Sequence, residues 1–276
     1  MSERSNRISV EQLSRHAKNI RRHVVKMVGR NGQGYVQQGL GAAEVFTQLW
    51  FSEARMDAGD PQWSGRDRIF LSTAHNSAVF HATLAERGVI ERDRLESYTR
   101  DGSKLEINVS ERLGPMVEST CGSLGQALSV ATGVCMTARR QNSGQRCYVI
   151  LGDGELQEGQ VWEAAMFAGA RGLGNLCLII DMNNLQVEGS TEKVMVMEPV
   201  ADKFAAFGWA VEDVDGHDFQ ALANAFDMAR ERLSQPTVIL ARTLVGKGIS
   251  FLEGQMSHNL VFPLSVAERA LAELED

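Results

Sequence analysis

The chain has 276 residues, 43% of them hydrophobic and 23% charged, which is enough for one large domain over residues 1–276 with a substantial core. A net charge of −7 argues against nucleic acid as a partner, because phosphate-backbone binding needs clustered positive charge. The start, Met1–Arg7, lacks the apolar centre of a signal peptide and no uninterrupted apolar span reaches membrane length, so a cytoplasmic protein without membrane contact is expected.

In chain order, apolar periodicity predicts an amphipathic helix over Val10–Val28, a glycine-rich turn from Gly29 to Gly34, and a helix from Gly41 to Phe51. A strand at Arg68–Ser72 leads to a helix over Asn76–Arg87, and Ser103–Ser119 reads as irregular. The small-residue stretch Gly122–Arg139 reads as a helix able to lie close on a sheet. Next come a strand at Cys147–Leu151, a helix from about Leu156 to Arg171, and a strand at Leu176–Asp181, together a βαβ unit. The polar segment Glu188–Pro199 is expected to order only when a ligand or partner arrives. Strand Trp209–Val214, helix Phe219–Leu233 and strand Thr237–Leu244 complete the alternation. Strands alternating with helices imply an α/β fold, a doubly wound parallel sheet with helices on both faces. Cys121, Cys135, Cys147 and Cys177 lie in apolar contexts with no CxxC pair and read as core thiols.

The most informative feature is Gly152-Asp153-Gly154-Glu155, followed 28 residues later by Asn183-Asn184. Each half comes directly after an apolar strand. In open parallel sheets ligands collect at the carboxyl ends of strands, so Asp153 and Asn183 are expected to face one another and share an ion. A hard divalent cation such as Mg²⁺ (or Ca²⁺ or Mn²⁺) would take the Asp153 carboxylate, the Asn183 amide oxygen and a main-chain carbonyl near Leu185, with diphosphate oxygens and water completing the shell. Gly154 and Glu155 are expected to open a helix whose N–H groups suit a phosphate, and Gly152 and Gly154 to let the backbone approach closely. Alone, Gly-Asp-Gly is an ordinary turn after a strand. The second half at this spacing is what points to a metal-diphosphate clamp.

These residues resemble the thiamine diphosphate (ThDP) motif of transketolases, in Gly152–Gly159 and Asp181–Leu185. The resemblance runs from about Leu13 to Phe262. It includes the blocks Gly39–Glu44, Leu71–His75, Val117–Gln126 and Gly246-Lys247-Gly248 with His258 following. It implies the N-terminal, diphosphate-binding half of a split transketolase, with ThDP shared between this chain and a separate C-terminal subunit in an α2β2 heterotetramer. The cofactor would supply a carbanion equivalent for moving a two-carbon ketol unit from a ketose to an aldose. The glutamate that activates it would come from the partner, so this chain alone should be inactive. Gly122 and Leu124 are implied as further cofactor contacts. Glu158 and Glu163 match interface glutamates that share a proton between paired sites.

Histidine usage departs from the family. His75 matches a histidine near the diphosphate and the reacting sugar, and His258 matches another. Where the first glycine-rich block usually carries histidine this chain has Tyr35, and Leu105–Pro115 holds no histidine, Asn108 being the nearest polar substitute. Tyrosine donates a hydrogen bond but stays protonated near neutrality, so a sugar other than the usual pentose phosphates, sulfonated or branched for instance, is expected. His217 reads as a turn or subunit contact beside the helix cap Asp218. His16, His23 and His81 show no partner in the sequence. Two alternatives remain at this stage: the α chain of a ThDP-dependent 2-oxo acid dehydrogenase, and a noncatalytic ThDP-binding protein. A nicotinamide-binding domain lacks its GxGxxG, and Gly246-Lys247-Gly248 lacks the glycine a phosphate-binding P-loop needs.

Overall fold

A computed structural model describes residues 8–255 and 261–275; His258 lies outside the described residues. In chain order the strands are β1 (Arg68–Leu71), β2 (Cys147–Gly152), β3 (Leu176–Met182), β4 (Leu185–Gln186), β5 (Gly189–Ser190), β6 (Ala210–Asp215) and β7 (Thr237–Arg242). One parallel sheet runs in the order β1-β2-β3-β7-β6, and β4 and β5 make a small antiparallel pair beyond the end of β3.

The central strands are apolar on both faces, and successive residues serve opposite cores. Tyr148, Ile150, Cys177, Ile179 and Ile239 enter one cluster, with helices Val10–Asn31, Ser77–Arg87 and Phe219–Glu231. Val149, Leu151, Leu178, Ile180 and Leu240 enter the other, beneath helices Gln126–Arg140, Gly159–Ala170 and Val200–Ala206. Two buried layers around one parallel sheet make the doubly wound arrangement expected from the alternation. All four cysteines are buried and unbridged. Among the described residues no helix is long and apolar enough to cross a membrane.

Several boundaries differ from the sequence expectation. The first helix opens on a capping box, Ser9 with Gln12, and continues through Gly29 to Asn31 before Gly32 ends it in the left-handed region. Gly29 is therefore a packing position rather than the start of a turn: a Cβ there would lie 2.2 Å from the Ala267 Cβ. The helix Leu264–Glu273 that brings Ala267 in, and helix Val200–Ala206, have no counterpart in the sequence reading. Residues Gly122–Gly125 form a loop ahead of helix Gln126–Arg140, with Gly122 at φ 97° and Gly125 at φ 82°. The stretch expected as a polar loop holds β5 and one helical turn, Thr191–Val194.

Candidate functional site

Because β2 and β3 are neighbours with Gly152 opposite Asp181, Asp153 and Asn183 emerge side by side where the strands end. The Asp153 N–H donates to the Asp181 carbonyl at 3.2 Å. Asp153 Oδ1 accepts the Gly154 N–H at 2.7 Å, and Oδ2 accepts the Asn184 N–H at 2.5 Å. Asn184 reaches that position with φ 62°, a left-handed conformation that asparagine tolerates better than most residues. Asn183 donates Nδ2 to Asp181 Oδ2 at 3.2 Å and accepts the Leu185 N–H on Oδ1 at 3.0 Å. Thr243, just after β7, donates its hydroxyl to Asp181 Oδ1. With the Asn183 NH₂ donating to Asp181, its carbonyl oxygen keeps one acceptor site beyond the Leu185 bond.

The electrostatics of this pair favour a cation. Burial and the neighbouring Asp181 charge raise the Asp153 pKa to about 7, outweighing the backbone N–H groups that favour its ionised form. Burial likewise raises Asp181, against the hydrogen bonds of Thr243 and Asn183. Burial thus disfavours ionisation of both adjoining carboxyls, only partly offset at Asp181 by the nearby His217, and a bound cation would relieve that cost. Among the described residues there is no group of three or more His, Cys, Asp or Glu side chains able to hold a metal. The partial oxygen set of Asp153, Asn183 and the main chain near Leu185 fits a Mg²⁺ that draws its other oxygens from phosphate and water. A protein-only cage is not needed for that.

The cavity beside the pair measures about 360 Å³ and takes in His75, Leu124, Gly154, Glu158 and Leu185 as well as Asp153 and Asn183. A second, of about 390 Å³, lies on the other side of Asp153, under Thr191 and Val196. The glycines around it let neighbouring side chains pack closely. A Cβ on Gly152 would stand 3.1 Å from His75 Cε1, one on Gly154 3.2 Å from the Gln186 Cβ, and one on Gly122 2.7 Å from Asn108 Oδ1. Asn108 is thus packed against the Gly122 loop. Tyr35 lies edge-on to His75 with ring centroids 6.4 Å apart, and partial burial raises its hydroxyl pKa, keeping the proton on the oxygen.

The expected helix does not start at Gly154. Residues Gly154–Gln157 make a short 3₁₀ turn, Glu158 is extended, and the α-helix begins at Gly159. The Gly154 N–H is taken by Asp153, so this turn presents no row of free helical donors. Glu155 lines the cavity, but its carboxylate is bonded within the protein, to Ser72, Gly125 and Gly152. Glu158 is exposed at the cavity wall, whereas Glu163 sits on the outer face of helix Gly159–Ala170, away from the cavity. Gly122 lies behind the wall rather than on it.

The sequence reading missed Gln38, Gln157 and Gln186 in the cavity wall, and it missed the support beneath it. A charged residue inside the otherwise apolar run Leu176–Met182 was the available signal for Asp181. His217 joins the helix Ala43–Gln48 to the segment after β7: Nδ1 meets Glu44 Oε2 at 3.0 Å, and Nε2 accepts the Leu244 N–H at 2.9 Å. Glu44 also holds Arg21 by two bonds, of 2.7 and 2.6 Å, and although burial opposes ionisation, His217 and Arg21 keep the carboxyl below its ordinary range. His16 and His23 share Glu86, and His81 meets the Glu106 carbonyl at 2.9 Å.

A family profile described as transketolase, thiamine diphosphate binding domain, matches residues 12–265. The chain belongs to the transketolase family. It is 37% identical over 264 residues to the 6-deoxy-6-sulfo-D-fructose transketolase subunit of a Clostridium species, covering 95% of this chain and 96% of that one. It is 35% identical to one of the apulose-4-phosphate transketolase subunits of Actinobacillus succinogenes, covering 98% of each. Among solved structures, the transketolase of Campylobacter jejuni superposes with a TM-score of 0.88 at 29% identity, over 97% of this chain but only 43% of that one. This transketolase-family chain thus corresponds to nearly the full length of two proteins named as subunits, and to less than half of a longer transketolase. That pattern favours a split transketolase over the dehydrogenase alternative.

Proposed function

We propose that this chain, as one ThDP-binding domain over residues 1–276 with an N-terminal helical extension, is the N-terminal subunit of a two-chain transketolase. It works with a separate C-terminal subunit in an α2β2 assembly, in the cytoplasm, and transfers a glycolaldehyde unit from a ketose to an aldose. The observation that carries this reading is the Asp153–Asn183 pair at the ends of adjoining strands, in a chain that matches transketolase subunits nearly end to end.

Asp153, Asn183 and the Leu185 carbonyl would hold Mg²⁺, and the Gly152–Gly154 backbone, Leu124 and His75 would hold the diphosphate end of the cofactor, with Gly122 and Glu155 shaping that cradle. Bound ThDP supplies a carbanion equivalent that lets a ketose part with two carbons. The residues of this chain bind, orient and manage protons. His75 would hold a proton toward a donor hydroxyl, while the protonated Tyr35 hydroxyl beside it donates a hydrogen bond and does not shuttle. His258 would act alongside them. Glu158 and Glu163, both exposed in the single chain, would be covered by the partner copy and share a proton across that interface. The substrate class follows the relatives: a sulfonated or branched sugar, in keeping with Tyr35 at a position where the family usually carries histidine.

The test is co-expression with candidate C-terminal transketolase subunits, measuring Mg²⁺- and ThDP-dependent two-carbon transfer from a panel of ketoses, beside this chain alone. Activity only in the mixture is expected, strongest with a sulfonated or branched donor. Stable complexes that bind ThDP and transfer nothing would overturn the reading; a clear preference for xylulose 5-phosphate would overturn the substrate class.

A further inference from the structure

Glu155 is only 2% exposed, yet its carboxylate is spent on the protein rather than on the cavity it borders. Oε1 accepts the Ser72 hydroxyl and the Gly125 N–H, the latter at 2.6 Å. Oε2 accepts the Gly152 N–H at 3.3 Å. Those donors belong to three different segments. Ser72 ends β1 and leads to His75; Gly125 closes the loop that carries Leu124; Gly152 ends β2 and precedes Asp153. The Gly122–Gly125 loop has no regular structure of its own, and its other backbone tie to the site is the Gly122 N–H on the Ser72 carbonyl at 2.8 Å.

A neutral side chain of similar size would not do this work. Two backbone N–H groups and a hydroxyl converge on two oxygens, so both oxygens must accept, and an amide with one acceptor oxygen and one NH₂ cannot serve all three donors. Loss of the acceptor would leave buried donors unpaired. We propose that Glu155 is a positioning residue: by joining the β1 end, the Gly122–Gly125 loop and the β2 end, it sets the spacing of His75, Leu124 and Asp153 around the cavity and thereby the affinity for Mg²⁺-ThDP. The inference rests on the functional reading above.

Two substitutions separate it from a merely structural role. Glu155→Gln keeps one oxygen for Ser72 and Gly125 but turns an NH₂ toward the Gly152 N–H, so donor faces donor. Ser72→Ala removes the β1 bond alone and leaves the carboxylate in place. In the co-purified two-chain complex, calorimetric titration with ThDP in Mg²⁺ is expected to show Glu155→Gln weakening the Kd by on the order of tenfold or more. The KM for ThDP rises in step with the Kd, a shift that a merely structural loss of folded protein would not produce. Ser72→Ala shifts Kd the same way by less. Variants that lower Tm but bind ThDP with the wild-type Kd would overturn the proposal, and if Glu155→Gln fails to fold, an unchanged Kd in Ser72→Ala overturns it alone. A wild-type complex that itself binds no ThDP would instead overturn the functional reading, and this proposal with it.

Discussion

Asn184 donates its backbone N–H to Asp153 Oδ2 at 2.5 Å, from the loop after the neighbouring strand. The loops after the two neighbouring strands are thereby tied to each other directly. One carboxylate oxygen is held by its own loop through Gly154 and the other by the opposite loop, so the Asp153 side chain has little freedom to turn. Its orientation is set by the protein before any cation arrives. Asp153→Asn is expected to cut Mg²⁺-dependent ThDP binding by more than ~100-fold, beyond the usual loss from an outer-shell change, and calorimetry of the two-chain complex checks it. Near-wild-type binding would remove Asp153 from the metal site.

Thr243 supports the same site from β7 by donating to the buried Asp181, which in turn holds the Asn183 amide. Thr243→Val keeps the shape and deletes the donor. It is expected to cost about 1–3 kcal/mol of stability through the unpaired carboxylate oxygen. A drop in Mg²⁺ affinity of about tenfold should accompany it, as the Asn183 oxygen loses its fixed direction. Chemical denaturation and metal titration measure the two separately, and an unchanged metal affinity would show that Asp181 does not act through Asn183.

The contact between Gly29 and Ala267 makes a prediction about stability alone. A methyl at residue 29 has no room unless helix Leu264–Glu273 moves away. Gly29→Ala should lower stability by about 1–3 kcal/mol, the usual range for overpacking, and this despite alanine's better helix propensity. ThDP affinity should be unaffected, because the contact lies outside the site. A variant as stable as wild type would show that the C-terminal helix shifts at no cost.

Acid sensitivity should have two distinct parts. Full burial holds the His81 pKa down at about 4 against an ordinary 6.5, so the unfolded chain takes up that proton first and stability falls as pH drops from about 6.5 toward 4. For Glu86, burial works against ionisation, but His23, Asn19, His16 and Arg92 outweigh it and hold the carboxyl at about 2. A depressed carboxylate stabilises above its unfolded value, here 4.5, and that stability is lost as pH falls through 4.5 toward 2. Urea denaturation across pH 3–7 should show Glu86→Gln less stable at neutrality with a flatter limb below about 4.5. A parallel curve displaced uniformly downward would contradict the Glu86 assignment.

Much of the fold was legible because the central strands are continuous apolar runs. Residues 147–151 and 176–181 have no other plausible place than a sheet covered on both sides, and the intervening length fits one crossover helix. The side-by-side placement of Asp153 and the Asn183-Asn184 pair was legible for the same reason, since a strand end fixes where the next residue lies. The helix boundaries at Gly29 and Gly122 were not. A glycine reads the same whether it ends a helix or admits a neighbour, and only the presence of Ala267 or the left-handed φ at Gly122 separates the two. Glu155 shows the limit most clearly. Its position beside Gly-Asp-Gly places it at the site, but nothing local reveals that its acceptors serve Ser72 and Gly125.

By itself the sequence determined the alternation of strands and helices and the placement of Asp153 and Asn183 on neighbouring strand ends, because these follow from local periodicity and from residues set directly after apolar strands. The tertiary structure decided which partners the polar groups around that pair take: Asp181 between Thr243 and Asn183, Glu155 joining three segments, and, further out, His217 between Glu44 and Leu244. Asp181 and Glu155 are buried and His217 is partly buried, and a polar group out of solvent takes whichever partners the packing delivers. Those partners come from distant parts of the chain, so their identity is fixed by the assembled layers and not by spacing along the sequence.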